Sequence, residues 1–240
     1  MSIPVEYLII VIPLVFFILL WKFLLTPIMK IINRLDDVTG GGGNSSFRFY
    51  VNEGVKFTKS ERYSDALESF NKAISFNPRD ATVWYNKGFA LAHLGRDTDA
   101  LASFDRAIAI NPNDVEAWIN RGIALAHLGR YSEAVDTWNR VVAINPNISE
   151  VWYYRGSALA NLNRYTEAVS SYDKAIAINP SFAVAWYNRG NALGESGHYS
   201  DAVASYDKAI AINQNVAKVR ENREISLKKR DKQPRKLSRK

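Results

Sequence analysis

The 240-residue sequence contains no cysteine and only three histidines. Without cysteine the chain has no disulfides, no iron–sulfur or zinc–thiolate sites and no thiol nucleophile. His93 and His127 stand at equivalent places of a repeated pattern, and no further ligands cluster with them in the sequence. The sequence also lacks a catalytic triad, a paired-carboxylate site and a nucleotide-binding loop. These absences predict a protein that is not an enzyme and that carries no metal and no cofactor.

Excess positive charge is confined to one end of the chain. The last thirteen residues, KKRDKQPRKLSRK, hold eight Lys and Arg against one Asp, whereas basic and acidic residues balance in the rest. A neutral body does not favour specific nucleic-acid binding. We expect the tail to be disordered and, beside an anionic leaflet, to contact lipid. A solvated terminus without a partner is the other interpretation.

A long apolar run occurs only near the start of the chain, at residues 7–25, where Lys22 is the single charge. Nineteen helical residues span about 28 Å, close to a bilayer core of about 30 Å. Glu6 stands where a signal peptide has basic residues, and no small-x-small cleavage site follows the run. The run therefore predicts an uncleaved transmembrane helix, so residues 1–38 are interpreted as an anchor with a juxtamembrane helix.

The charges around this helix predict its orientation. Basic residues lie near the end of the apolar run and after it, at Lys22, Lys30 and Arg34, and none precedes it. The positive-inside rule then predicts a single-pass protein with its N-terminus outside and its remaining domains in the cytoplasm. The next segment, 39–46, reads TGGGGNSS. We expect it to be a flexible linker.

Residues 47–216 repeat with a period of thirty-four. Five windows can be laid out, at 47–80, 81–114, 115–148, 149–182 and 183–216. Repeat position 8 is always glycine, at Gly54, Gly88, Gly122, Gly156 and Gly190. Position 20 is always alanine, at Ala66, Ala100, Ala134, Ala168 and Ala202. Position 24 is always aromatic, at Phe70, Phe104, Trp138, Tyr172 and Tyr206. Small residues facing large ones at fixed spacing predict paired helices in close contact.

These positions resemble the tetratricopeptide repeat (TPR) family. The resemblance covers the five windows and implies an all-α fold, a right-handed superhelical solenoid of five helix pairs. Ser or Thr at position 18 is suited to cap each second helix, and the acid at position 19 suits its first turn. Gln214 replaces the last proline, so we expect helix to continue into 217–240 as a capping helix followed by the basic tail.

The resemblance also implies a binding surface, because the first helix of each pair lines the concave face in this family. The corresponding residues are Val51, Val55, Tyr85, Phe89, His93, Ile119, Ile123, His127, Tyr153, Ser157, Asn161, Tyr187 and Asn191. Apolar and aromatic side chains come first and polar ones later, which suits a protein or peptide partner with apolar or aromatic anchors. Similar residues are also common defaults of the repeat, so the sequence leaves open whether this stripe is the main binding surface.

The sequence thus predicts a membrane-anchored TPR adaptor or scaffold that binds partner proteins or peptides. Two alternatives remain: a receptor or co-chaperone component of a protein import or secretion machine, and a regulatory subunit of an envelope enzyme. The basic clamp with which chaperone-binding members hold a C-terminal carboxylate is missing, because no repeat position 5 is lysine. The identity of a captured partner separates these functions.

Overall fold

The computed structural model describes residues 42–213 and 217–232, and these residues form eleven helices and no strand. The predicted anchor at 1–38 and the last eight residues of the tail lie outside the described residues. The helices are α1 (Gly42–Lys59), α2 (Tyr63–Phe76), α3 (Ala81–His93), α4 (Asp97–Ile110), α5 (Val115–His127), α6 (Tyr131–Ile144), α7 (Ser149–Asn161), α8 (Tyr165–Ile178), α9 (Ala183–Glu195), α10 (Tyr199–Ile212) and α11 (Ala217–Lys232).

The chain divides into two compact units, Met1–Val83 and Trp84–Lys240, and the boundary falls inside α3. In the first unit α1 packs against α2. Tyr50 stacks on Phe76 there, with ring centroids 5.8 Å apart. Helix α1 begins at Gly42, so residues 42–46 form its first turn, whereas the sequence predicts them to be part of a linker. Helix propagation from the apolar segment after Ser46 outweighs the low helix propensity of two glycines.

In the second unit every helix from α4 onward packs against the next one along the chain. The first helices of successive pairs also contact each other, α5 with α7, α7 with α9, and α9 with α11. Each first helix from α5 onward therefore contacts the second helix of its own pair and also at least one other first helix. This is the TPR arrangement that the sequence predicts, and α11 takes the place of a first helix after the fifth pair.

The contact at the centre of each pair joins repeat positions 8 and 24. The aromatic side chains Phe70, Phe104, Trp138, Tyr172 and Tyr206 are at most 3% exposed. Each ring lies against the glycine of its own pair, and a Cβ atom built on Gly156 would lie 2.8 Å from Cε1 of Tyr172. The alanines at position 20 are fully buried beside them. The predicted close approach of the two helices is confirmed.

The predicted hydroxyl caps are wrong. Helices α2, α4, α6 and α8 begin one residue before the Ser or Thr, and arginine is the N-cap residue without a side-chain cap bond. The arginine instead pairs with the acid three residues on, as in Arg130 with Glu133 at 2.6 Å. The acid does lie in the first turn, as predicted. Solvent screens such exposed pairs, so they contribute little to stability.

The capping helix is present, but it is a separate helix. Helix α10 ends at Ile212, with Asn213 in an extended conformation, even though no proline follows. Helix α11 runs from Ala217 to Lys232 and packs against α9 and α10, so residues 228–232, the first five of the basic tail, are helical and not disordered as predicted. Only Val219 and Ser226 of α11 are buried, so the end of the stack is polar. Helices α4, α6, α8 and α10 all end at repeat position 30, so a helix can end there without the proline.

We predict that Gly156→Ala lowers the free energy of unfolding by about 1–3 kcal/mol, because the new methyl group overpacks the Tyr172 ring. Gly194→Ala is the matched control, since its Cβ would meet Ser226 Oγ at an ordinary 3.7 Å. The control should be neutral or stabilising by up to about 1 kcal/mol, because alanine is the better helix former. Urea unfolding of both variants measures the difference, and equal effects would contradict the assigned contact.

We also predict a loss of stability at alkaline pH from the two buried tyrosines of this contact. Burial raises the pKa of Tyr206 to about 12 and raises that of Tyr172 further. Because the fold favours the neutral phenol, the stability that this group contributes is fully present below the unfolded pKa of about 10. That stability is lost as pH rises through the folded pKa of about 12. Tyr206→Phe should therefore show a smaller fall in unfolding free energy between these pH values. Tyr165→Phe, which removes an exposed hydroxyl, should fall as the parent chain does.

Candidate functional site

The structure brings the predicted site residues of the second unit onto one surface, built from α3, α5, α7 and α9. We call it the first-helix surface; it comprises Tyr85, Phe89, His93, Ile119, Ile123, His127, Tyr153, Ser157, Asn161, Tyr187 and Asn191. All of these side chains are half-buried or exposed, and none is buried. Val51 and Val55 lie on α1 in the first unit and are half-buried. The side chains in the second unit can therefore contact a partner without unfolding.

Tyrosine–asparagine hydrogen bonds join the first helices of successive pairs. Asn120 Nδ2 donates to the Tyr85 hydroxyl at 3.4 Å. Equivalent bonds join Asn188 to Tyr153 at 3.3 Å and Asn222 to Tyr187 at 3.2 Å. These asparagines are not among the surface residues predicted from the sequence. Their signal is the recurrence of asparagine at repeat position 6, one residue after the tyrosine position.

The pattern breaks between the third and fourth pairs. Ile119 occupies the tyrosine position and Tyr154 occupies the asparagine position, so neither half of the bond is present. Tyr154 stacks instead on Trp138, with centroids 5.7 Å apart and an interplanar angle of 24°. Trp138 donates from Nε1 to the Ile119 carbonyl at 3.4 Å. The centre of the surface is consequently held by aromatic packing and presents isoleucine.

The apolar half of the surface lies on α3 and α5. Phe89 contacts Tyr85 at a centroid distance of 6.5 Å and His93 at 4.4 Å. One pair further along, Ile119 and Ile123 hold the positions of Tyr85 and Phe89. Rings and branched side chains that are fixed by their neighbours lose little entropy on binding, so they can serve as anchoring sites for apolar side chains.

The polar half lies on α7, α9 and α11. Asn191 Oδ1 accepts hydrogen bonds from the Tyr206 hydroxyl at 2.9 Å and from Asn222 Nδ2 at 3.0 Å. These groups border a cavity of about 350 Å³ whose lining also includes Glu195, Ser226 and Lys229. The amides and hydroxyls here bond to one another, which leaves this half ordered and hydrophilic.

Carboxylates lie close to the aromatic half. The pKa of Tyr85 is raised, first by burial of its hydroxyl and then by the negative charges of Glu116 and Asp114. His127 Nδ1 lies 3.1 Å from Asp97 Oδ1. In residues 42–213 and 217–232, no group of three or more His, Asp and Glu side chains is placed to hold a metal ion. The chemistry of this surface is that of non-covalent recognition by aromatic, apolar, amide and carboxylate groups.

Comparisons with solved structures give the same fold. A MamA protein superposes with a TM-score of 0.68 and 22% identity, over 73% of this chain and 96% of that one. YrrB, described as a TPR protein with an unusual peptide-binding site, superposes with a TM-score of 0.67 and 23% identity, over 73% and 90%. MamA from Desulfovibrio magneticus RS-1 gives 0.69 and 20%, over 72% and 97%. At these identities the likeness concerns the fold alone. Among curated proteins, none matches the chain significantly by sequence.

Family profiles identify the repeats directly. Those described as tetratricopeptide repeat match residues 54–115, 98–149 and 183–216, and one described as TPR repeat matches 156–197. These regions make up more than half of the chain and coincide with the helix pairs of the structure. The chain belongs to the tetratricopeptide repeat family.

Proposed function

We propose that this protein is a membrane-anchored adaptor that binds a partner protein or peptide on the first-helix surface. One observation carries the proposal: Tyr85, Phe89, Ile119 and Ile123 are half-buried and hold equivalent positions on two first helices that the Asn120–Tyr85 hydrogen bond joins. Burying apolar surface releases about 25 cal/mol per Å², so a partner that covers these side chains gains several kcal/mol before its ordering costs.

The neighbouring structures support a binding role. YrrB is described as having a peptide-binding site, and it shares the fold of this chain. Repeat scaffolds of this type act by presenting a surface rather than by chemistry on a substrate. The rigidity of the surface, with its interhelix tyrosine–asparagine bonds, favours a partner that adapts to it over one that remodels it.

The membrane component of the proposal rests on the sequence. Residues 7–25 lie outside the described residues, and in the described ones no helix is long and apolar enough to cross a bilayer. The apolar run, its length and the charges behind it support a single-pass anchor with the repeats on the cytoplasmic side. Contact between the basic tail and anionic lipid stays a prediction of the same reasoning.

We predict that Ile123→Ser in the full chain weakens capture of its partner roughly tenfold, because an apolar anchor is lost from the binding surface. Ile144→Ser is the matched control. Ile144 is 48% exposed at the end of α6, away from the first helices. Affinity capture from detergent-solubilised native membranes, quantified against the parent chain, measures the change. A partner that is retained equally by both variants would place the binding surface elsewhere.

We predict that the full chain stays in the membrane pellet after carbonate extraction, because a helix across the bilayer is not released when peripheral contacts are stripped. A chain that begins at Gly42 should remain in the supernatant and keep its helical circular dichroism spectrum. Release of the full chain by carbonate would remove the anchor from the proposed function and leave the binding surface unaffected.

A further inference from the structure

Four carboxylates at or beside the first-helix surface have no ion-pair partner. They are Asp114, Glu116, Glu150 and Glu195, and within residues 42–213 and 217–232 no salt bridge joins any of them to a lysine or arginine. Asp114 accepts a bond from the backbone of Ala117 at 3.0 Å, and Glu150 accepts one from Ser149 at 2.9 Å. Each keeps acceptor capacity for a ligand, because a carboxylate has about four lone-pair sites.

Several acids on the second helices of the same unit do have ion-pair partners. Asp105, Asp173 and Asp207 each receive the Nε–H of an arginine from the next first helix, at 2.7, 2.7 and 2.5 Å. Glu133 and Glu167 pair with the arginines three residues before them. Within the described residues Asp136 and Asp201 on the second helices also lack an ion pair, so what distinguishes the four acids is their place at or beside the first-helix surface.

The unpaired carboxylates lie beside the apolar anchors. Asn120 Nδ2 donates to the Tyr85 hydroxyl at 3.4 Å and to the Glu116 carbonyl at 2.9 Å, so the first turn of α5, which Asp114 caps, lies beside Tyr85. Glu150 holds the position of Glu116 one pair later, so the repeat places it beside Ile119. Glu195 lines the cavity next to Asn191. At repeat positions 2, 5, 9 and 13, α3, α5, α7 and α9 carry no lysine or arginine, and cations appear only on α11, at Lys218 and Lys229.

We propose that the partner of this surface is a basic segment in which lysines or arginines alternate with apolar residues. Its apolar side chains pack on Phe89, Ile119 and Ile123, and its cations reach Glu116 and Glu150. This proposal rests on the proposed function and adds the charge of the ligand. A neutral ligand would remove water from the carboxylates without pairing them, and this desolvation would weaken binding. A basic ligand forms ion pairs that offset the desolvation cost, and its positive charge also speeds association with the surface.

Aromatic rings strengthen the case for cations. A lysine or arginine that pairs with Glu116 lies within reach of the Tyr85 and Phe89 rings, whose faces attract positive charge. An acidic ligand would meet repulsion from the carboxylates at both ends of the apolar patch. The last eight residues of the basic tail, 233–240, place Leu237 among cations and so resemble the proposed ligand. This segment is therefore the competing occupant of the surface.

The test uses the full chain in detergent and three fluorescein-labelled peptides with the same apolar residues: LRKLARKW, LQQLAQQW and LEELAEEW. Fluorescence anisotropy gives each dissociation constant at low and at moderate salt. We expect the basic peptide to bind at least about tenfold tighter than the neutral one and to weaken as salt screens the carboxylates, while the acidic peptide does not bind. Equal affinity of the basic and neutral peptides, or binding by none of the three, would overturn the proposal.

Charge-neutralising variants locate the contact. Glu116→Gln with Glu150→Gln should weaken the basic peptide about 3–10-fold and leave the neutral peptide unchanged, as expected for two partly exposed ion pairs. Asp136→Asn with Asp201→Asn removes the same charge from exposed positions on α6 and α10 and should leave both affinities unchanged. Equal weakening by both double variants would overturn the contact, because it would show only an effect of net charge.

Two further measurements separate the possible failures. If Ile123→Ser weakens the basic and neutral peptides alike while their affinities in the parent chain are equal, the surface binds peptides and only the charge preference is wrong. If Ile123→Ser changes neither peptide binding nor partner capture, the proposed function fails as well. A chain ending at Lys232 tests whether the tail competes for the surface. If this chain binds the basic peptide at least about tenfold tighter than the full chain, the tail occupies the surface, and the proposal of a separate partner segment is overturned.

Discussion

The contact between the position 8 glycine and the position 24 aromatic ring is the constraint on which the helix pairs depend. The ring occupies the space that a Cβ atom would need, so the two helices of each pair can approach only where the first has no side chain. The buried position 20 alanines extend the same close approach along the second helix. Because close packing tolerates neither a gap nor an extra methyl group, this one contact fixes the register of both helices. The register then determines which side chains the first helix leaves facing outward.

Polar contacts between successive pairs engage tryptophan and arginine side chains that do not belong to the first-helix surface. The Trp118 indole donates to the Pro112 carbonyl of the preceding repeat at 2.9 Å, and Arg121 bridges Asp105 and Thr137. The same set recurs around Trp152 and Trp186. In the part of the chain that the structure describes, no buried side-chain polar atom lacks a partner. The arginines and tryptophans of this set are thereby engaged in contacts between pairs, whereas the apolar and acidic side chains of the first-helix surface are not part of the set.

Most of the fold follows from the sequence because the repeat encodes it in pairs of residues that touch within one helix pair. A glycine and an aromatic residue sixteen positions apart are visible in every window. The predictions that were wrong or incomplete concern side chains whose contacts depend on a neighbouring element. Ser132 lies two residues too late to cap α6, because the preceding turn places Arg130 at the N-cap. The bond from Asn120 to Tyr85 joins residues thirty-five apart and exists only once pairs are stacked. The accessible stripe was predictable, but the lack of ion pairs at its carboxylates is visible only from the side-chain contacts of the described residues.

The centre of the first-helix surface shows how a repeat protein acquires a local character. Replacing tyrosine by Ile119 alone would leave the next asparagine without its partner, and replacing that asparagine by Tyr154 alone would lose a bond donor. With both changes the interface exchanges a hydrogen bond for the stacking of Tyr154 on Trp138, the one tryptophan at position 24. Val141, where the other repeats have alanine, is fully buried and fills space in the same pair. The four substitutions together convert one step of a polar ladder into an apolar step that Glu116 and Glu150 flank by repeat position.

A regular array presents the same groups at every step and so favours no register for a ligand. The apolar step breaks that equivalence, and a bound segment would take its register from Ile119 and Ile123.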